Sequence, residues 1–314
     1  MVDFGLQIEP AYGFTYEEVL ELGLACSGHG FQSVWMSDHF MQDPNNAERN
    51  CMDCWTLMSA LAAEVKDIRL GSLVTCVTYR NPAVLAKIAA TVDLISGGRL
   101  DFGIGAGWNE AEHNAYGIRF PSPGERVDRL FEAIEIIRRL WTEPKATFQG
   151  KHYSVTDAVS APKPVQRPYP PILVGGSKPR MLRAIARYAD IVNMGSGQSP
   201  QSYAGNLGKL EAVCAEEGRD FNRIRKTHLM TFVVAKSADE LEEVVGRAAA
   251  HAGVTPDQFR ANRGFSFIGT AAEAVDVIKQ YNDAGVSQFM ARFPYGEERR
   301  SMRLFADDVM PRVR

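Results

Sequence analysis

A (β/α)8 TIM barrel with insertion segments is the α/β fold this sequence predicts, on three observations. Eight short apolar runs alternate with amphipathic segments from one end to the other. The length, 314 residues with 45% hydrophobic content, suits one large barrel. The first strand–helix turn, Glu9-Pro-Ala-Tyr-Gly-Phe-Thr, lacks the G-x-G-x-x-G fingerprint that an open doubly wound sheet would usually carry there. One domain over residues 1–314 is expected, with insertions at about 142–170 and 252–268.

The elements follow in order. Phe4–Ile8 reads as the first strand, and Tyr16–Ser27 as an amphipathic helix closed by Gly28 and Gly30. Ser33–Met36 is the second strand, with a helix near 53–65. Ile68–Thr78 is the third strand, and Pro82 opens an apolar helix over Ala83–Ile95 that Gly97-Gly98 closes. Leu100–Ile104 is the fourth strand, followed by the strongly periodic helix Arg126–Trp141. Pro171–Val174, Asp190–Asn193, His228–Val234 and Gln288–Phe293 complete the eight strands. Helices over Arg180–Tyr188, Gln201–Glu217, Ala238–His251, Ala271–Ala284 and Glu298–Met310 lie between and after them. The proline-rich stretch 142–170 carries a hairpin pattern around Gly150. With 41–50 and 252–268 it reads as a cover over the barrel mouth.

Composition excludes several classes. Net charge is −3, with no basic run, so neither nucleic acid nor an anionic membrane is expected as a partner. No apolar stretch reaches the roughly 18 residues of a membrane span. The first residues lack a basic segment followed by a long apolar one, so a cytoplasmic protein is expected. Five scattered cysteines do not form a disulfide framework. Cys51-x-x-Cys54 lacks the second pair or nearby histidines of a zinc site, and reads as structural thiols with no metal.

The chemistry concentrates at strand ends, where barrels carry their active sites. Ser37, Asp38, His39 and Phe40 follow the buried run Val34-Trp35-Met36. A histidine titrates near neutral pH, and a carboxylate beside it can orient or tune it; Asp38 as a cap and His39 as an ordinary residue is the plainer alternative. Gly105, Ala106 and Gly107 end the fourth strand and would admit a ligand close to the backbone, with Trp108, Asn109 and Glu110 next. Gly175, Gly176 and Ser177 end the fifth strand and open a helix, a place for an anion, with Lys178 and Arg180 adding positive charge. Phe40, Met41, Tyr79, Trp108 and Met194 are candidates for an apolar pocket around a planar ring, Tyr79 and Trp108 foremost. Of the remaining histidines, His29, His113, His152 and His251 fall in helices, turns or covers, His113 reads as exposed, and His228 begins a strand, at the non-catalytic end. A metal-assisted hydrolase would want ligands at several strand ends instead.

Taken together, Trp35-x-Ser37-Asp38-His39-Phe40, Leu70-Gly-Ser-Leu-Val-Thr-Cys-Val-Thr-Tyr-Arg-Asn-Pro82, Ile95-Ser-Gly-Gly-Arg-Leu100, Gly103-Ile-Gly-Ala-Gly-Trp-Asn-Glu110 and Pro171-Ile-Leu-Val-Gly-Gly-Ser177 resemble the luciferase-like monooxygenase superfamily, in its branch that uses the deazaflavin coenzyme F420. The resemblance spans nearly the whole chain. It implies the cofactor at the C-terminal mouth, a non-prolyl cis peptide at Leu73–Val74 behind its ring, and a tail site at Gly175–Ser177. It further implies an oxidoreductase that passes hydride between deazaflavin C5 and a small organic substrate, either an activated C=C, C=N or C=O or an alcohol. His39 would be the general acid or base, Asp38 would orient it or bond the ring, and a homodimer is expected. In the family's sugar-phosphate dehydrogenases an acid stands where this chain has Trp108, which puts that activity in doubt; Glu110 is either the substitute, one step along the loop, or a helix-start residue. The alternatives are an FMN-dependent monooxygenase on the same barrel, a non-redox barrel enzyme, and a binding protein without cofactor.

Overall fold

In a computed structural model, residues 2–41, 46–261 and 266–313 are described. The parts of the expected covers at 42–45 and 262–265 lie outside them. The strands are β1 (Asp3–Ile8), β2 (Ser33–Met36), β3 (Arg69–Ser72), β4 (Thr75–Cys76), β5 (Leu100–Gly105), β6 (Ala146–Gln149), β7 (Ser154–Ala158), β8 (Ile172–Gly175), β9 (Ile191–Asn193), β10 (Arg225–Ala235), β11 (Ser266–Thr270) and β12 (Gln288–Arg292). The helices are α1 (Tyr16–Gly28), α2 (Cys54–Glu64), α3 (Pro82–Ser96), α4 (Glu110–Ala115), α5 (Pro123–Thr142), α6 (Pro179–Tyr188), α7 (Pro200–Glu216), α8 (Ala238–His251), α9 (Pro256–Ala261), α10 (Ala271–Asp283) and α11 (Glu298–Leu304).

Parallel pairing runs β1–β2–β3–β5–β8–β9–β10–β12 and back to β1, closing an eight-stranded barrel. β11 adds to the far half of the long strand β10, in register from Thr231↔Ser266 to Ala235↔Thr270. It and the short helices α4 and α9 are the elements that the sequence patterns do not announce. The expected hairpin forms, as β6 against β7. No helix among the described residues is long and apolar enough to cross a membrane.

Alternation along the strands builds two cores. Phe4, Leu6, Val34 and Met36 face the helix layer, while Trp35, Leu173, Ile191 and Met290 fill the barrel interior. Trp35 fits because Gly5 and Gly71 flank it: a Cβ on Gly71 would lie 2.3 Å from the indole. Helix starts are set by sequence. Thr15 and Glu18 form a capping box at α1, and Asn81 caps α3 ahead of Pro82.

The third strand breaks into β3 and β4 at Leu73–Val74, whose peptide bond is cis. The Ser72 hydroxyl fills the gap in the ladder. It donates to the Gly103 carbonyl (2.8 Å) and accepts from the Gly103 N–H (3.0 Å). The backbones meet so closely that a Cβ on Gly103 would sit 1.9 Å from the Ser72 carbonyl oxygen. Two hydrophobic side chains, Leu73 and Val74, are thereby left half-buried at the barrel mouth.

Candidate active site

The C-terminal ends of β2, β4, β5 and β8 surround a cleft of about 1060 Å³. Asp38, His39, Leu73, Val74, Tyr79 and Trp108 line it, together with the backbone of 105–107 and 175–176. Three of the expected site residues stand apart. Phe40 backs Tyr79 (ring centroids 4.5 Å) rather than lining the cleft. Ser177 is half-buried beside it, and Glu110 is exposed in the first turn of α4.

The carboxylate that meets His39 is Glu112. Its side chain is fully buried, and Oε2 lies 2.8 Å from His39 Nδ1. The Tyr79 hydroxyl donates to the same oxygen (2.7 Å), while the N–H groups of Phe40 (2.7 Å) and Met41 (3.2 Å) donate to Oε1. Burial alone would raise the Glu112 pKa; the bonds from His39, Tyr79 and Phe40 overcome it and hold the carboxyl at about 2. Glu112 is therefore ionised, His39 Nδ1 carries the proton between them, and Nε2 is the nitrogen left for other partners. Burial would lower the His39 pKa, but Glu112, Glu9 and Asp38 together raise it above the ordinary value.

Glu110 takes the helix-start position in the first turn of α4, and the carboxylate that reaches His39, Glu112, is not among the expected site residues. Asn109 caps α4 and accepts from the Glu112 N–H, so the first helical residue turns to solvent and the third turns inward. Asn109-x-x-Glu112 is capping-box spacing, a signal present in the sequence; here the glutamate reaches across to His39 instead of back to its own cap. His113, expected exposed, is fully buried. Its Nδ1 bonds the Asn109 carbonyl (2.6 Å) and its Nε2 bonds Thr78 Oγ1 (2.6 Å), tying the 107–109 loop to the end of β4.

Asp38 does not touch the imidazole. Its Oδ2 accepts from Arg80 (2.6 Å) and from the Cys76 N–H (3.1 Å), and Arg80 also binds Asp53, the cap of α2. Burial raises the Asp38 pKa, with Arg80 and the Cys76 N–H opposing. Its Oδ1 is buried with no hydrogen-bond partner among the described residues. Trp108 is 72% exposed and presents its ring edge to His39 at 5.7 Å.

At the far end, Gly176 has φ +125°, a backbone that L side chains rarely adopt. The N-terminus of α6 begins at Lys178-Pro179 with no side-chain cap, leaving its first amides free for an anion. Lys178 lines the cleft, whereas Arg180 turns away to Gly124 and Asp128. The thiols of Cys51 and Cys54 bond the carbonyls of His39 and Met36, and burial pushes Cys51 up to about 12. Among the described residues no group of three or more His, Cys, Asp or Glu is placed to hold a metal ion.

A closed parallel barrel with a buried carboxylate–histidine pair at the rim of its mouth is the architecture of an enzyme. The chain belongs to the luciferase-like monooxygenase family, whose model matches residues 3–293. It is similar to an F420-dependent glucose-6-phosphate dehydrogenase of Amycolatopsis mediterranei, 30% identical over 96% of each chain. Among solved structures, an F420-dependent secondary alcohol dehydrogenase in complex with an F420-acetone adduct superposes over 100% of this chain and 99% of its own, with TM-score 0.84 and 22% identity. A monooxygenase from Streptomyces bottropensis does so over 99% of each, with TM-score 0.82 and 24% identity.

Proposed function

We propose that the protein is an F420-dependent oxidoreductase that moves a hydride between the deazaflavin and a small organic substrate, with His39 as the proton carrier. The observation that carries this reading is the His39–Glu112 pair at the edge of a cleft floored by Leu73 and Val74.

The residues present suit the coenzyme. Leu73, Val74 and the backbone of 105–107 would hold the flat ring, and Gly105 has no side chain to fill that space. The orphaned Asp38 Oδ1 is a buried acceptor at the same cleft, suited to a donor on the ring. Gly175, Gly176, Ser177, Lys178 and the uncapped amides of α6 would hold the anionic tail. When bound, the coenzyme supplies carbon-centred hydride chemistry.

The chain's own part is proton transfer and positioning. Glu112 holds the imidazole ring in place and favours its charged form, the form in which Nε2 carries a proton to give. As a C–H bond forms on an activated C=C, C=N or C=O, the Nε2 proton passes to the substrate atom that gains the electron pair. In the reverse direction, neutral Nε2 takes the proton of an alcohol. Trp108 gives the mouth an apolar wall where a sugar-phosphate dehydrogenase would carry an acid, so glucose 6-phosphate is not the substrate we favour.

Replacing His39 with Ala tests the assignment. Turnover should fall by about 100-fold or more, in the range general acid–base catalysis contributes, while the F420 dissociation constant stays within about threefold. Equal kinetics in the two proteins would end it.

A further inference from the structure

The barrel mouth holds a second cleft, over the ends of β10, β12 and β1, that the hydride chemistry leaves unused. It spans about 890 Å³, partly open to solvent, and among the described residues no Asp or Glu lines it. Two arginines do. Arg292 ends β12, and its Nε donates to Thr231 Oγ1 (2.8 Å) on the paired position of β10. That bond fixes the guanidinium, which lies 5.8 Å from the Tyr12 ring centroid. Its terminal nitrogens have no carboxylate partner among the described residues. Arg49 reaches the same cleft across Gly13, where an added Cβ would meet its Cγ at 3.4 Å. It too has no carboxylate partner among the described residues.

Arg80 makes the contrast. It serves the cofactor cleft but is neutralised by Asp38 and Asp53. In a chain of net charge −3, two arginines with no carboxylate partner among the described residues, in one concave, half-enclosed site, create local positive potential. Guanidinium groups match the forked geometry of an oxyanion. The remaining walls combine rings (Tyr12, Phe259, Phe293, and Tyr295 with His251 stacked on it at 4.3 Å) with the small side chains of Ala248, Ala252 and Pro294. Such walls suit a flat or apolar body.

We propose that this cleft anchors the substrate by an oxyanion, a carboxylate or a phosphate, carried on a planar or apolar body, with Arg292 and Arg49 as its ligands. The assignment to the substrate rests on the hydride-transfer reading above; the anion site itself is testable without cofactor. Benzoate, inorganic phosphate and neutral benzyl alcohol are titrated calorimetrically into the full-length protein, and F420 is titrated separately by fluorescence. Wild type, Arg292→Met and Arg292→Lys are compared. At least one anion should bind about tenfold more tightly than benzyl alcohol. Arg292→Met should weaken that anion about tenfold, Arg292→Lys less, and neither should alter F420 affinity. Benzoate ahead of phosphate assigns a carboxylate substrate, and the reverse a phosphate ester.

Anions that bind no better than benzyl alcohol, or that bind Arg292→Met like wild type, overturn the proposal. If F420 fails to bind wild type, the cofactor reading falls while the anion titrations still decide this one. Should Arg292→Met lose its fold by circular dichroism, Arg49→Met replaces it, with a loss of about threefold or more expected and an unchanged affinity refuting.

Discussion

Glu112→Gln probes the site's central pair with little change of shape. The two backbone donors, Phe40 and Met41, both face Oε1 and need an acceptor there. The amide oxygen of a glutamine must stay with them, so its NH2 turns toward His39 Nδ1 and the Tyr79 hydroxyl. Nδ1 then becomes an acceptor, the imidazole switches to its other tautomer, and the charged form loses its counter-charge. A hydrogen bond between charged groups contributes about 1.5–3 kcal/mol, which converts to a loss of roughly 10- to 150-fold in turnover.

The direction with pH follows from the same bond. Glu112 helps raise the His39 pKa, so the protonated acid persists to higher pH than an ordinary histidine. It is fully present below that pKa and is lost as pH rises through it. Without Glu112 the loss should begin at lower pH. The assay is single-turnover reduction of an activated acceptor by reduced F420 across pH, with F420 affinity measured alongside. A variant with the wild-type rate and pH profile, and unchanged F420 affinity, would refute the reasoning.

Two further outcomes follow from packing. His228 is buried against Tyr203, Tyr281 and Phe289 with neither ring nitrogen bonded among the described residues, and burial lowers its pKa from 6.5 to about 4. The unfolded chain takes up that proton first, so stability is lost as pH falls from 6.5 through about 4, by about 3 kcal/mol. His228→Phe should flatten thermal melting over that window; an unchanged acid slope would contradict it. Gly105→Ala would place a Cβ 2.7 Å from Val74 Cγ2. Overpacking of this kind costs about 1–3 kcal/mol, so Tm should drop by several degrees and F420 binding should weaken, whereas an unchanged melt would show that the strand has room.

Much of the barrel is legible from local pattern. All eight barrel strands fall on or within the short apolar runs, several of them ending at glycine or proline, because a strand buried on both faces needs an apolar run. The elements that escape are short or paired at a distance. α4 has six residues, too few for a helical period, and its glutamate meets a histidine 73 positions away. Residue spacing could suggest a cap at Asn109 but not which strand end Glu112 would face. Asp38 is legible as an acid at a strand end whose charge acts on the imidazole, but not as one whose hydrogen bonds go elsewhere. Arg80, 42 residues on, draws it away. Thr231 and Arg292 look unremarkable in sequence because their pairing depends on barrel closure.

The most direct test of the account is a fluorescence titration of the purified protein with F420 and, separately, FMN, each oxidised and reduced. The account predicts micromolar affinity for F420 and at least tenfold weaker binding of FMN. Preference for FMN would contradict it and assign the same cleft to oxygen-dependent monooxygenation; binding of neither would leave the His39–Glu112 pair without a hydride to serve.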